Sequence, residues 1–392
     1  MNNIVIENDH IRKELHLKSD RIKGFTLVNK NNDRTLISQK CGEEFVLTFK
    51  SAFSKKEIKA SEIKVSDISS VREGEFSKYT VTFSSFDVKD SKIEVKLVYI
   101  LNDYRCYIRK YLELRYEKKG VKEIILDSIA FESFSFDSSL KFWSVPKQKD
   151  AETKSFALSL GQPIYVDGFY FGCEFPVAIN KIKNYNAMST YYSGKRLSEL
   201  IGSGCYISHK SVAGGAVSDI FEDVQKAFFE YIKDISKPVY IRRQYNSWYD
   251  NMLNITKENI TSSFLEIEKM MTKTGEPPLD SNVADDGWND YDGAFWGFNK
   301  NFPDELYPFK NLAESLGSKF GLWLGPRGGY TNDTIKFARR IQQEGNGFVN
   351  KQAKDICVGS KKYTQKTEEL LLDFQKRFNI NYLKLDGFAQ YA

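Results

Sequence analysis

The spacing of apolar residues changes once along this chain, near residue 220, and the change restricts the fold to two domains of different class. Before it, apolar positions alternate or run in strand-length segments, as in Tyr79-Thr80-Val81-Thr82-Phe83, Ile93-Glu94-Val95-Lys96-Leu97 and Tyr107-Ile108-Arg109-Lys110-Tyr111-Leu112, with turn-forming clusters between them. Side chains alternate across a strand, so many such runs at short spacing predict an antiparallel β-sandwich over 1–220. Phe221, Val224, Phe228, Tyr231, Ile232 and Ile235 then share one face of a helix, which Pro238 stops. That assigns 221–237 to a connecting helix and linker.

From 238 to 392 the pattern alternates strand and helix. Strands are expected at 239–245, 281–286, 319–325 and 379–387. Between them lie helices carrying Ile260, Phe264, Ile267 and Met271, then Phe309, Leu312, Ala313 and Leu316 with Gly317 as cap, then Ile335, Ala338 and Ile341, then Leu371, Phe374 and Phe378. Such alternation requires a parallel sheet with crossover helices. A doubly wound nucleotide fold would place a glycine-rich phosphate turn after its first strand, and Gln244-Tyr245-Asn246-Ser247-Trp248 has no glycine. A TIM-type (β/α)8 barrel instead gathers polar side chains at the C-terminal ends of its strands, where this chain has Trp248, Asp285, Asp286, Trp288, Trp323, Arg327, Lys384 and Asp386. About four strands are present over about 155 residues, where a complete barrel takes about 250. The expectation is a barrel truncated after about its fourth strand, in a chain that is the N-terminal piece of a longer protein.

Composition narrows the function classes. The formal charge is only +5 over 392 residues, and Lys and Glu alternate instead of clustering by sign, which argues against a nucleic-acid partner. No segment is long and apolar enough to cross a bilayer, and the N-terminus lacks a signal-peptide pattern. Five scattered cysteines without a Cys-x-x-Cys pair favour a reduced, cytoplasmic setting. Aromatics make up 14% of the chain, and rings stack on the C–H faces of sugars; many sandwich folds are equally aromatic.

The chemistry-bearing residues concentrate after position 240. Lys384 and Asp386 are two apart on the last strand and therefore share a face, and a cation fixed beside a carboxylate favours its ionised form. The competing reading is a surface ion pair at a strand end. Asp285 and Asp286 would face opposite ways on an ideal strand, but the turn into Gly287 lets both converge on one ligand; alternatively one caps a loop and the other is solvated. All three histidines (His10, His16, His209) lie in the first domain, so the paired carboxylates suit sugar hydroxyls better than a metal. Asn289-Asp290-Tyr291-Asp292-Gly293 resembles a calcium loop only faintly: Trp288 stands where the loop should open, and no glutamate closes it. Arg327, in Gly325-Pro326-Arg327-Gly328-Gly329, is placed either to pair with a barrel carboxylate or to touch substrate. Two glycine- and aromatic-rich stretches, 167–176 and 191–195, read as edge turns of the sandwich or as a loop reaching over a neighbouring active site. Neither a metal nor a cofactor is expected.

Asn246-Ser247-Trp248, Ala284-Asp285-Asp286-Gly287-Trp288, Asn301-Phe302-Pro303, Lys319-Phe320-Gly321-Leu322-Trp323-Leu324-Gly325-Pro326 and Tyr382-Leu383-Lys384-Leu385-Asp386, in this order and spacing, resemble glycoside hydrolase family 36. That family comprises the alpha-galactosidases and alpha-N-acetylgalactosaminidases of clan D, and its members also carry an N-terminal super-sandwich with a strand like Gly168-Phe169-Tyr170-Phe171-Gly172-Cys173.

The resemblance implies a retaining hydrolase of alpha-galactoside or alpha-N-acetylgalactosaminide glycans, with Asp386 as nucleophile and Lys384 on ring hydroxyls. Asp285 and Asp286 would hold O4 and O6, and Trp248 and Trp288 would wall the pocket. The acid/base would come from a later strand, past Ala392, leaving this chain inactive by itself. The residue between Lys384 and Asp386 is Leu385 instead of the family's tryptophan, and Arg327 replaces an acidic or aromatic residue. These departures leave open a raffinose-synthase-like transglycosidase, and the loop that separates galactose from N-acetylgalactosamine would also lie past Ala392. A non-catalytic or decayed carbohydrate-binding relative, or a sandwich-plus-barrel protein acting on another sugar, are the competing readings. The resemblance admits a homo-oligomer.

Overall fold

The computed structural model describes residues 3–51, 54–89, 91–118, 124–145, 160–197, 204–292, 296–328 and 334–387. The chain divides into two compact units, Met1–Lys237 and Pro238–Ala392. The first is almost all strand. Among the described residues its strands form sheets of four, five and ten members, and every pairing within them is antiparallel. Alternation sets which faces meet. In Ser91–Asn102 the residues Ile93, Val95, Leu97, Tyr99 and Leu101 point inward, and Lys92, Glu94 and Lys96 lie on the other side. They join one core with Ile11, Leu15 and Phe25 of the four-stranded sheet and Phe45, Leu47 and Phe131 of the five-stranded sheet.

This core encloses a polar island. Lys13, Glu44, Tyr99, Lys110 and Glu132 are each at most 1% exposed. Lys13 Nζ lies 2.8 Å from Glu44 Oε1 and 3.3 Å from Glu132 Oε2, and Lys110 Nζ lies 2.9 Å from Glu132 Oε1 and also bonds Glu44. Tyr99 Oη donates to Glu44 Oε2 at 2.6 Å. Two positive and two negative groups balance, which is what permits ions inside an apolar shell. Burial alone would raise the Glu44 carboxyl, but Lys110 and Lys13 outweigh it and hold the group down at about 2. Burial would likewise lower Lys13, and Glu132 with Glu44 raise it instead. Glu132 sits at a bulge with φ 48°, where the extra residue re-aims its side chain.

The stretch at 167–176 is turn only at its two ends, 167–168 and 174–176, and strand between them. Phe169–Cys173 is an interior strand between Ile164–Val166 and Ser211–Gly215, and all five of its residues are buried. Its apolar run is continuous because both faces are covered: Phe171 enters the sandwich core, and Tyr170 packs on Tyr231 of the helix Phe221–Ile235. Asp167-Gly168 makes the two-residue hairpin turn, with φ of 47° and 83°, the positive pair such turns require. Residues 191–195 lie within the strand Asn186–Arg196. The helix Phe221–Ile235 is counted with the first unit, Val224 and Tyr231 buried against Tyr165, Tyr170, Val212 and Ala216.

The second unit holds a four-stranded parallel sheet in the order Gln244–Asn246, Ser281–Ala284, Phe320–Leu324, Ile380–Leu385. The helices Lys257–Lys273, Tyr307–Ser315, Thr334–Gln343 and Lys361–Phe378 stand between successive strands. Thr256 and Asn259 cap the first helix reciprocally. Ile260, Phe264, Phe309, Ala313, Phe374 and Phe378 pack on Ala284, Leu322, Leu324 and Ile380. Val283, Gly321 and Trp323 alternate onto the opposite face, and a register irregularity after Ile380 brings Tyr382 and Lys384 onto that face opposite Gly321 and Trp323. The first strand is shorter than expected: 239–243 pairs with no strand, and Val239 and Ile241 are 94% and 90% exposed. Their apolar pattern has no neighbour to bury against, because pairing begins only at Gln244 with Ser281. Among the described residues no helix is long and apolar enough to cross a membrane, and Cys106, Cys173, Cys205 and Cys357 are free thiols.

Candidate functional site

Side chains from the C-terminal ends of these parallel strands meet around Lys384. Lys384 Nζ donates to Asp285 Oδ2 at 2.9 Å and lies 3.8 Å from Asp386 Oδ2, so one ammonium joins carboxylates about a hundred residues apart. Trp323, paired with Lys384 across the ladder, donates its Nε1 to Asp386 Oδ2 at 3.5 Å. The ammonium also stands 5.8 Å from the Trp248 ring centroid. Side-chain exposure is 30% for Lys384 and 34% for Asp386 against 0% for Asp285. One carboxylate is sealed and the other is open to solvent.

Backbone hydrogen bonds fix this arrangement. Asp386 follows its strand directly, and its N–H donates to Leu324 O at 3.1 Å. Its Oδ1 accepts from Gly387 N at 2.7 Å. Asp285 N donates to Ser247 Oγ at 2.9 Å, and Ser247 N to Val283 O at 3.1 Å, so the loop after the first strand holds the end of the second. Asn246 Oδ1 accepts from Trp248 N at 2.9 Å, tying the tryptophan to its strand. Ser247 has no place among the sequence candidates. A fully buried hydroxyl beside a strand end was the available signal, and burial is visible only once the strands are assembled.

Asp286 is fully buried, and its Oδ1 accepts from Gly287 N at 2.7 Å. It caps its own turn, and Asp285 bonds Lys384. Gly287 has φ 115°, and a side chain there would meet Leu253 O at 2.6 Å.

Two expected site residues have other partners. Trp288 is 1% exposed, its ring packs on Phe298 and Phe374, and its Nε1 donates to Trp323 O at 3.0 Å. The turn at Gly287 returns the chain toward the helices, and the large ring follows. Arg327 forms an ion pair with Asp355, which is 1% exposed. Gly293 and Gly329, which complete the two loop motifs, lie outside the described residues.

No family model and no curated protein sequence matches the chain. Solved structures do. The chain is similar to the galactosidase domain of the alpha-galactosidase-sucrose kinase AgaSK, with a TM-score of 0.62 and 12% identity over 98% of this chain and 65% of that one. It is similar to the GH36 alpha-galactosidase AgaA from Geobacillus stearothermophilus, in complex with 1-deoxygalactonojirimycin, with a TM-score of 0.57 and 11% identity over 98% and 65%. An alpha-galactosidase from Lactobacillus brevis gives 0.56 and 12% over 98% and 63%. The chain therefore has the fold of the N-terminal part of GH36 enzymes and spans about 65% of the length of these structures.

Proposed function

We propose that this chain carries the sugar-binding groups and the nucleophile of a retaining alpha-galactosidase-like glycoside hydrolase. The observation that carries the reading is the Lys384 bridge between Asp285 and Asp386 at the C-terminal ends of parallel strands, the end at which barrel enzymes place their chemistry. On this reading the four parallel strands are the first half of a (β/α)8 barrel. Asp386 attacks the anomeric carbon, its solvent exposure giving a sugar access. Lys384 binds ring hydroxyls while Asp285, and Asp286 behind it, fix the O4 and O6 side of the ring. Trp248 and Trp323 border the sugar, Trp323 also orienting Asp386. The complex of AgaA, a protein of the same fold, with 1-deoxygalactonojirimycin supports a galactose-type substrate.

A retaining mechanism needs a second carboxyl about 5–5.5 Å from the first, acting as acid and then as base. The proposal assigns that role to a residue outside 1–392. Its absence dictates the test. An activated fluoride leaves without protonation, so 5-fluoro-α-galactosyl fluoride should transfer its glycosyl group to this chain, the C1–F bond breaking as an ester to Asp386 Oδ forms. Mass spectrometry should find one fluorogalactosyl group on the peptide containing Asp386, and none in Asp386→Asn. Labelling elsewhere, or none, would sink the assignment.

A further inference from the structure

Within the first unit a second concavity has no part in this chemistry. It is a cavity of ≈ 550 Å³, inside the about 300–1,000 Å³ range of small-molecule sites, between the strand pair Phe142–Trp143 and Ile164–Val166 and the start of the helix Phe221–Ile235. Its apolar wall is aromatic. Trp143 is half-buried and stacks on Tyr165 with centroids 5.0 Å apart at 27°, while the Phe221 ring meets Trp143 edge-on at 4.9 Å. Phe142, beside it, is 48% exposed.

Its rim is polar and held in place. Arg34 reaches Asp167 Oδ1 and Asp219 Oδ1, each at 3.1 Å, and Lys141 Nζ lies 2.8 Å from Asp219 Oδ2. Asp167 N donates to Lys141 O at 3.0 Å and Ala216 N to Gly168 O at 2.8 Å, so the hairpin turn that carries Asp167 is fixed on two sides. Asp167 Oδ2 accepts no hydrogen bond among the described residues. Arg34 and Lys141 offset Asp167 and Asp219, and Glu222, also in the lining, leaves one carboxylate in excess, so the rim disfavours an anion. Donors and acceptors stand instead beside an open aromatic surface, which is the surface a neutral polyol with one C–H face can use in full.

We propose that this cavity is a second carbohydrate-binding site, taking a neutral pyranose unit of a glycan against Trp143, with hydroxyls on Asp167 and Lys141. The inference stands on the first unit alone and does not require Asp386 to be a nucleophile.

Trp143 is the only tryptophan in residues 1–237, which makes it a reporter as well as a target. The test is saturation-transfer NMR and calorimetry on the 392-residue protein with melibiose, raffinose, maltotriose and cellotriose, up to about 10 mM. At least one sugar should bind the wild type and both Lys384→Met and Asp386→Asn, with Trp143→Ala weakening that binding at least tenfold and Asp167→Asn severalfold. If Trp143→Ala does not fold, Phe142→Ala, at an exposed position, should give at least a threefold loss. Unchanged affinity in folded Trp143→Ala or Phe142→Ala, no binding by any of the four sugars, or binding that disappears in Lys384→Met would each overturn the proposal. Saturable binding of choline in place of the sugars would make the site an aromatic cage for cations and overturn it too. Failure of the Asp386 labelling leaves these outcomes untouched, so the two proposals fail separately.

Discussion

The two units each contain a cluster of lysines and carboxylates, and the clusters differ chiefly in access to water. In the sandwich Lys13, Lys110, Glu44 and Glu132 neutralise one another inside an apolar shell at 1% exposure or less. At the parallel sheet Lys384 bonds a sealed Asp285 on one side and faces a 34% exposed Asp386 on the other. The first arrangement is complete in itself, so removing any member leaves an uncompensated charge. The second is asymmetric, with one carboxylate sealed against the ammonium and one that solvent can reach. The same residue types serve folding where they are sealed and, on the function proposed above, chemistry where they are left open.

The strongest way to break this comparison is at Asp386. Asp386→Asn should lower the rate of glycosyl transfer from 5-fluoro-α-galactosyl fluoride by at least about 10³-fold, the scale expected for a group acting in the transition state. Its thermal midpoint should stay close to wild type. Lys13→Met should do the reverse, costing about 3–5 kcal/mol in urea unfolding because Glu44 and Glu132 lose a buried counter-ion, with labelling of Asp386 unaffected in the folded fraction. A comparable loss of labelling in Lys13→Met would erase the distinction between the clusters.

Proton linkage sharpens the same contrast. Glu44 has its folded value lowered from the usual carboxylate range to about 2. Its stabilising contribution is therefore present above about pH 4.5 and is lost as pH falls through about 2. Glu44→Gln should flatten the pH dependence of the unfolding midpoint between about pH 4.5 and 2 by the share Glu44 contributes, on the order of a few kcal/mol. Lys384→Met should cost less in stability, about 1–3 kcal/mol for the acceptor it leaves on buried Asp285, yet weaken binding of melibiose at the Asp386 site. The smallest change belongs to Trp323→Phe. Its hydrogen bond to Asp386 is long, 3.5 Å, and labelling should slow only about threefold to tenfold.

What could be read in the sequence was whatever depends on local period. Alternation in 93–101 and the helical spacing of Phe221, Val224, Phe228 and Tyr231 carry their own burial pattern. Lys384 and Asp386 share a face by parity alone, and they meet. Features set by tertiary partners were hidden. Ile11-Arg12-Lys13-Glu14-Leu15 looks like an ordinary half-exposed strand with a lysine in its apolar row, and only Glu44 and Glu132, 31 and 119 residues away, make that lysine buriable. The burial of Trp288 depends on Phe298, Phe374 and Trp323, brought in from other segments, and the pairing of Arg327 on a carboxylate 28 residues further on. The exposure of 239–243 follows from where its neighbour begins, which hydrophobicity does not encode.

The polar island has a bearing on how this molecule can be cut and rebuilt. Its five members come from five different strands of the first 135 residues, joined across separations of 31, 66 and 119 positions. No early hairpin can dehydrate its share of the charge before the others arrive, so the sandwich should assemble in a single concerted step. An engineer who trims the first twenty residues as dispensable decoration would leave Lys110 alone between two anions, with one negative charge stranded in oil.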